Sequence, residues 1–474
     1  MNASAPAPLE IAVVGHTNVG KTSLLRTLTR RRDFGAVDDN PGTTRHVESI
    51  DLRLDGAVAV RYFDTPGLED AAALQHYLKN LPGEGTPVER VRAFLAGPEA
   101  HAAFEQEAKV LRTLLGVDAA IYVIDCREEV LPKYRYEIEV LSACGKPVMP
   151  VLNFLRQGHS NEAAWREVLA AYHLHASVQF DAVAPFVGAE RQLYQDLGVL
   201  LQARRSQLQA ILAALEQQAQ ARRQAASHLA ASALVSAAAM RREIDRDAAA
   251  DAPRKAALVQ RFKADLAGHV ERAVQAMLAV YGFGPQDADM ALAPWTGGRW
   301  QADLFNPHTL ADAGQKLGAG AAVGAAVGLV ADVALAGMSL GAATALGAAV
   351  GGLASQGWSQ VPRKLANRLR GTEELTLENE ALLLLAGSLQ RLCSALEQRG
   401  HAAQHTLHVT PEAQAGATGG APAGPALVAV VHSLAPARSH PHWEQAQPAT
   451  SDMRRSRLVA QVAQALQDGT QPPP

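Results

Sequence analysis

Three features of the chain predict a three-layer α/β domain with a mostly parallel sheet, followed by a mainly α-helical domain. Short β-branched runs alternate with helical patterns over roughly the first 200 residues. A glycine-rich loop joins the first of these runs to a helical stretch. From residue 202 onward the strand-like runs give way to long segments rich in Ala, Gln, Arg and Leu.

The runs Ile11–Val14, Val58–Phe63, Ala120–Asp125 and Pro147–Leu152 read as buried strands separated by crossover helices. The interval from Gly67 to Val117 is too long for one crossover helix. It contains LPGEGTP (81–87) and AGP (96–98), so it reads as an insertion of broken helices over about 68–117. Residues 202–246 lack Gly and Pro and read as one long helix, and a second runs from Arg254 to Tyr281. Pro285–Pro307, with Trp295 and Trp300, reads as a loop. A Gly/Ala tract covers 314–357, and another helix falls at about 373–399. The low-complexity segment 411–425 separates two candidate strands, His405–Val409 and Ala426–Ser433, which suggest a small β-hairpin. A short helix at about 451–467 closes the chain. At 474 residues more than one core is expected. The expected domains are 1–201, a helical domain 202–410, and a flexible segment and tail 411–474.

The net charge of −3 argues against nucleic-acid binding through bulk charge. Three dispersed cysteines, Cys126, Cys144 and Cys393, offer neither a disulfide framework nor a zinc site, which fits a reducing compartment. The stretch MNASAPAPLEIAVVG has no basic region followed by an apolar one, so no export signal and a cytoplasmic placement are expected.

Residues 15–22, Gly-His-Thr-Asn-Val-Gly-Lys-Thr, form a full GxxxxGK(S/T) between a strand and a helical run. Gly15, His16, Thr17, Asn18, Val19 and Gly20 turn backbone N–H groups toward a triphosphate, and a helix N-terminus adds a favourable dipole. Lys21 is placed to reach the β- and γ-phosphates, Thr22 to ligate Mg²⁺, and Ser23 to follow at the helix start. Asp64-Thr65-Pro66-Gly67 ends a strand and supplies a carboxylate beside the metal and an N–H, from Gly67, to the γ-phosphate. Pro41-Gly42-Thr43-Thr44-Arg45 lies between them, where a mobile switch contributes a hydroxyl.

NVGKTS (18–23), PGTTRH (41–46) and DTPG (64–67) together resemble the Era, EngA and MnmE group of bacterial P-loop GTPases, over about residues 9–200. The whole layout resembles Era-like GTPases fused to an uncharacterised helical domain. The resemblance implies GTP binding and hydrolysis with Mg²⁺, ligated by Thr22, Thr44 and Asp64, with Lys21, Thr44 and Gly67 acting on the transferred phosphate. Leu68 stands where small signalling GTPases place a water-orienting Gln, so another device is required. Asn18 implies one: relatives with Asn here can hold a K⁺ near the phosphates. Neutralisation of that kind is worth about 10³–10⁵ in rate when an arginine supplies it. A loop-stabilising role for Asn18 stands beside it.

The base side departs from the pattern. Leu152-Asn153-Phe154-Leu155-Arg156 occupies the place of the family's Asn-Lys-x-Asp: Asn153 matches, Phe154 replaces Lys, and Arg156 replaces the guanine-reading Asp. Glu162 is an acid close enough in sequence to substitute. Asp181-Ala182 matches weakly the loop that offers an Ala N–H to the base. GTP is the expected nucleotide, with a relaxed base preference as the alternative.

In the tract 314–357, glycines at 320, 324 and 328, at 337 and 341, and at 347 and 351 repeat every four residues, a glycine-zipper pattern that lets helices approach closely. Residues 333–354 carry no charge and reach the length of a bilayer span, but Ala and Gly dominate them. Arg363, Lys364, Arg368 and Arg370 follow as a basic flank. A soluble close-packed hairpin and peripheral contact with the inner membrane face both fit. The histidines at 401, 405, 408, 432, 440 and 442 form no metal-binding constellation. The leading function is a GTP-hydrolysing switch controlling the helical half. A dynamin-like membrane scaffold and a ribosome- or RNA-assembly factor are the alternatives.

Overall fold

The computed structural model describes residues 7–31, 34, 47–82, 85–156, 160–182, 185–186, 188–245, 251–284, 338–339, 372–399, 425–445 and 452–468. They fall into two units, 1–219 with 398–404, and 220–397 with 405–474.

The first unit is built on six strands: β1 (Leu9–Val14), β2 (Glu48–Leu54), β3 (Ala57–Asp64), β4 (Ala119–Asp125), β5 (Val148–Asn153) and β6 (Val178–Gln179). Their order is β2-β3-β1-β4-β5-β6, with β2 antiparallel to β3 and the other pairs parallel. The four strands read from sequence are present, and β2 and β6 join them. The signal for β2 is the Asp55–Gly56 turn, whose residues take φ of 51° and 83°, the paired left-handed geometry of a two-residue hairpin.

Alternation within each strand builds the three layers. Ile11 and Val13 of β1 face a core with helix α1 (Lys21–Thr29), helix α7 (Ala189–Leu200) and the start of helix α8 (Arg205–Ala239). Ala12 and Val14 face the opposite core with helices α2 (Ala71–Asn80), α3 (Pro87–Ala96), α4 (Glu105–Gly116), α5 (Pro132–Ala143) and α6 (Glu162–Ala171). Helices α2, α3 and α4, with a short 3₁₀ turn at Pro98–His101, occupy 68–117. Thr86-Pro87-Val88-Glu89 starts α3 with a reciprocal capping box and proline in the first turn.

The second unit corrects several sequence expectations. The long helix α8 ends at Ala239, and Arg241–Asp245 forms strand β7. Likewise Thr372–Leu377 is strand β9, and the helix expected at about 373–399 is Asn379–Glu397. These strands pair antiparallel, with Met338–Ser339 of the Gly/Ala tract forming β8 on the far side of β9. The candidate strand Ala426–Ser433 is a helix, Pro425–Ser433. Its buried residues Leu427, Val430 and Val431, with Leu434 just past its end, recur at helical spacing, and that period overrides the β propensity of valine. Two expected helices are found at Ala252–Val280 and Met453–Asp468. The stretch Ala226–Ala239 of α8 is buried on nearly every side, as an Ala-rich helix must be to contribute to a core. Pro285–Pro307, His405–Val409, 411–424 and the rest of 314–357 lie outside the described residues. Among the described residues, no helix is long and apolar enough to cross a membrane.

Between the first unit's sheet and α7, the hydroxyls of Tyr62 and Tyr194 meet at 2.5 Å, and both residues are fully buried. Each satisfies the other. Tyr62→Phe or Tyr194→Phe alone should cost about 1–3 kcal/mol by stranding the remaining hydroxyl, and the double substitution should recover most of that loss. Urea unfolding of the four proteins measures the coupling, and additive losses would contradict the pairing.

Candidate functional site

The glycine-rich loop follows β1 at the carboxyl edge of the sheet, where strand ends leave room for a ligand. Its backbone requires small or permissive residues. Gly15 has φ of 144°, and a Cβ there would lie 2.5 Å from the Val123 carbonyl. Gly20, at φ 92°, begins α1, whose first turn has no side-chain cap and no acid. Its leading N–H groups are thus left for an anion. Asn18 is exposed and left-handed, φ 63°, a conformation that asparagine tolerates better than most residues.

Lys21 is buried, and its ammonium donates to the carbonyls of His16 (2.8 Å) and Gly15 (3.2 Å). Burial lowers its pKa, while the charges of Asp64 and Glu137 act in the opposite sense. Thr22 Oγ1 donates to Asp64 Oδ2 at 2.5 Å. Asp64 is 1% exposed, and its other oxygen, Oδ1, has no hydrogen-bond partner. Burial raises the Asp64 pKa against the opposing hydrogen bond from Thr22 and the charge of Lys21. A half-buried hydroxyl beside a buried carboxylate with one orphaned oxygen fits Mg²⁺. No cluster of three or more His, Cys, Asp or Glu side chains able to hold a metal occurs among the described residues. The donors this corner offers are one hydroxyl, from Thr22, and one carboxylate, from Asp64.

The DTPG turn is pressed onto the loop. A Cβ on Gly67 would lie 2.4 Å from Thr17 Oγ1 and 2.8 Å from its amide nitrogen, so only glycine fits. Thr65 Oγ1 donates to the Val13 carbonyl at 2.8 Å, fixing the turn to β1. Leu68 is buried in the core beneath, facing away from solvent. The following Asp70 caps α2 and donates its own N–H to the buried Glu107 of α4. The insertion helices are thus fastened directly to the turn.

Sequence reading missed a second anchor. His16 Nδ1 donates to Glu137 Oε1 at 2.7 Å, Tyr122 OH donates to Glu137 Oε2 at 2.9 Å, and Lys133 donates to His16 Nε2 at 3.0 Å. Glu137 is 1% exposed. Its signal was present: Tyr134, Glu137, Ile138 and Leu141 share the buried face of α5, and an acid on an apolar stripe requires a partner. The neighbouring Glu139 binds Gln75 and Lys79 of α2, so α5 holds the loop by one acid and the helix after DTPG by the next.

On the base side, Asn153 is a hub. Its Nδ2 donates to the Val19 carbonyl, and its Oδ1 accepts from the amides of Phe154 (2.9 Å) and Ala182 (3.0 Å). The Ala182 amide, expected to meet a base carbonyl, is therefore spent on Asn153. The Ala182 carbonyl accepts from Thr27 of α1. Asp181 is buried beside it. Arg156 is exposed, its guanidinium 4.5 Å over the Phe186 ring. Glu162 accepts from Arg166 and Gln179. Val19 is buried, Ser23 sits in the first turn of α1, and Thr44 lies outside the described residues.

Two family models match this chain. One, described as a domain of unknown function (DUF3482), covers residues 166–464, and the other, described as a 50S ribosome-binding GTPase, covers residues 10–154. GTPase Der of Azorhizobium caulinodans is 34% identical over 165 residues, 35% of this chain and 29% of Der. The tRNA modification GTPase MnmE of Rhizobium meliloti is 47% identical over 66 residues, 14% of this chain and 15% of MnmE. Aquifex aeolicus Era bound to GDP·AlF₄⁻ is similar at 21% identity and a TM-score of 0.29, over 40% of this chain and 56% of that one. The chain thus spans less than a third of the two curated relatives and about half of the Era chain.

The raised pKa of Asp64 has a thermodynamic consequence. Between its unfolded and folded pKa values the folded protein binds more protons than the unfolded chain, so stability falls as pH rises through that window. At neutral pH without nucleotide, Asp64→Asn should therefore raise the melting midpoint, each kcal/mol gained being worth about 2–4 °C in a unit of this size. Added Mg²⁺ and nucleotide should stabilise the parent protein more than the variant. Thermal melts with and without both ligands check this, and a lower midpoint for the unliganded variant would contradict it.

Proposed function

The chain belongs to the family defined by the domain of unknown function DUF3482, here preceded by a GTPase domain, and we propose that it is a Mg²⁺-dependent GTP-hydrolysing switch. The observation that carries the reading is the convergence of Lys21, Thr22 and Asp64 on one buried corner of the strand–loop–helix junction. In this reading the loop amides and the first turn of α1 bind the phosphates, and Lys21 exchanges its loop carbonyls for phosphate oxygens. Thr22, Asp64 and Thr44 would hold the metal, which would supply charge neutralisation to the phosphates. Gly67 donates its N–H to the γ-phosphate from a position that already touches Thr17. Water attacks the γ-phosphorus as its bond to the bridging oxygen of the β-phosphate breaks, releasing inorganic phosphate and leaving GDP, and catalysis is by positioning and charge neutralisation.

The output runs first into the insertion. Asp70–Glu107 ties the DTPG turn to α4, and Gln75 and Lys79 tie α2 to Glu139. These contacts support a switch in which the nucleotide state moves 68–117 and, beyond it, the helical unit. A membrane surface reached through 314–357 and ribosomal RNA are the two partner classes to separate, by co-sedimentation with anionic liposomes against co-purification with rRNA.

Lys21→Ala should abolish tight triphosphate binding while leaving the helical content intact, since it removes a charge and little core volume. Fluorescent-nucleotide titration alongside circular dichroism tests this, and parent-like affinity would refute the phosphate-site assignment. With Leu68 buried, Asn18 is proposed to help hold K⁺. Turnover should then be faster in K⁺ than in Na⁺ at equal ionic strength, and Asn18→Ala should remove the difference. Equal rates in the two salts for the parent protein would return Asn18 to its left-handed loop role alone.

A further inference from the structure

The base side of the site is assembled from rings and guanidinium groups. Phe154 occupies a left-handed backbone position, φ 58°, which a bulky side chain adopts only where its surroundings enforce it. The enforcement is visible. Its amide donates to Asn153, and a Cβ built on Gly20 would lie 3.3 Å from the Phe154 Cζ, so the ring rests against the end of the phosphate loop. The Arg127 guanidinium lies 3.9 Å from the ring centroid. Arg127 is itself held by Asp125, its Nε and Nη2 donating to both carboxylate oxygens and its backbone N–H to Oδ1. The ring is only partly buried.

The two loops that flank the ring carry no acid, and Asp181, which borders the second of them, is buried at 1% exposure. Residues 154–161 and 182–189 contain neither Asp nor Glu. Nearby, Asp125 is engaged by Arg127, and Glu162 by Arg166 and Gln179. At position 156 the side chain is a donor-only guanidinium stacked over Phe186. An edge presenting N–H groups, as guanine does at N1 and N2, finds no acceptor there. A π-face is offered instead, and every base has one.

We propose that Phe154, braced by Arg127 and the loop end at Gly20, is the stacking platform for the nucleotide base, and that the site takes purine nucleoside triphosphates with little choice between guanine and adenine. This rests on the nucleotide-binding reading of the phosphate loop, and it replaces edge reading by face stacking. Arg127 acts as a positioning residue, fixing the ring through Asp125.

The test is competition against a fluorescent GTP analogue by GTP, ITP and ATP on the full-length chain, for the parent, Phe154→Ala, Phe154→Leu and Lys21→Ala. GTP and ATP should differ by less than tenfold in the parent. Phe154→Ala should weaken both by about fivefold or more, the low end of what losing a base–aromatic stack costs, with their ratio unchanged. Should Phe154→Ala lose its circular dichroism signal, Phe154→Leu, which keeps bulk and removes the π-face, carries the same expectation. A guanine preference of tenfold or more, or a Phe154 variant that folds and binds within fivefold of the parent, overturns the proposal. If instead no triphosphate competes, or Lys21→Ala competes as well as the parent, the nucleotide-binding reading itself has failed.

Discussion

Two opposite charges buried at the carboxyl edge of one sheet are the constraint around which the first unit is arranged. Lys21 opens α1 and Asp64 ends β3, and both are almost wholly removed from water. Desolvation of either is costly, and mutual attraction alone seldom repays it. The protein answers with partial compensation: two loop carbonyls and the nearby Glu137 for the ammonium, one hydroxyl for the carboxylate. One carboxylate oxygen is left unsatisfied. An anionic phosphate chain and a divalent cation would complete the set, so the corner is stable only on terms that favour its ligands. The tight glycine contacts follow from this, because no side chain can intrude between DTPG and the loop.

How much of this was legible in the sequence depends on how local each contact is. The phosphate side was readable because its backbone demands fall on consecutive residues, 15–22 and 64–67, whose glycines and Lys-Thr pair carry the chemistry. Glu137 was not, since its partner His16 lies 121 residues away and only the fold brings them to 2.7 Å. Asn153 was found, yet its role as a hub for Val19, Phe154 and Ala182 was invisible, because main-chain partners leave no mark in composition. Arg127 was overlooked for the opposite reason. It pairs with a residue two positions away, and so short a spacing gives no hint of the ring above it.

In the helical unit, propensity and burial disagreed at element ends. Arg241–Asp245 follows α8 with no Gly or Pro to mark a break but pairs with Thr372–Leu377, and no single-segment property announces a partner more than a hundred residues downstream. The helix Pro425–Ser433 was hidden under a valine-rich run whose buried Leu427, Val430 and Val431 nonetheless fit a helical face. In both places tertiary contact decided between conformations that the local sequence left nearly balanced.

The position of β1 in the sheet also governs the order in which the chain can be assembled. It lies between β3 and β4, in registers that pair Leu9 with Val60 and Ile11 with Ala119. On a ribosome making about 5–20 residues per second, the second neighbour follows the first strand by about 5–20 s. Until then the apolar run of β1 has at most one edge paired and lacks the core that β4 completes, a state prone to association with other chains. The glycine-rich loop gains its backing, the Val123 carbonyl against Gly15, only once β4 is in place, and its tie to Asn153 only after β5. Nucleotide therefore cannot guide the early steps of folding, and can only lock a sheet that the chain has already closed.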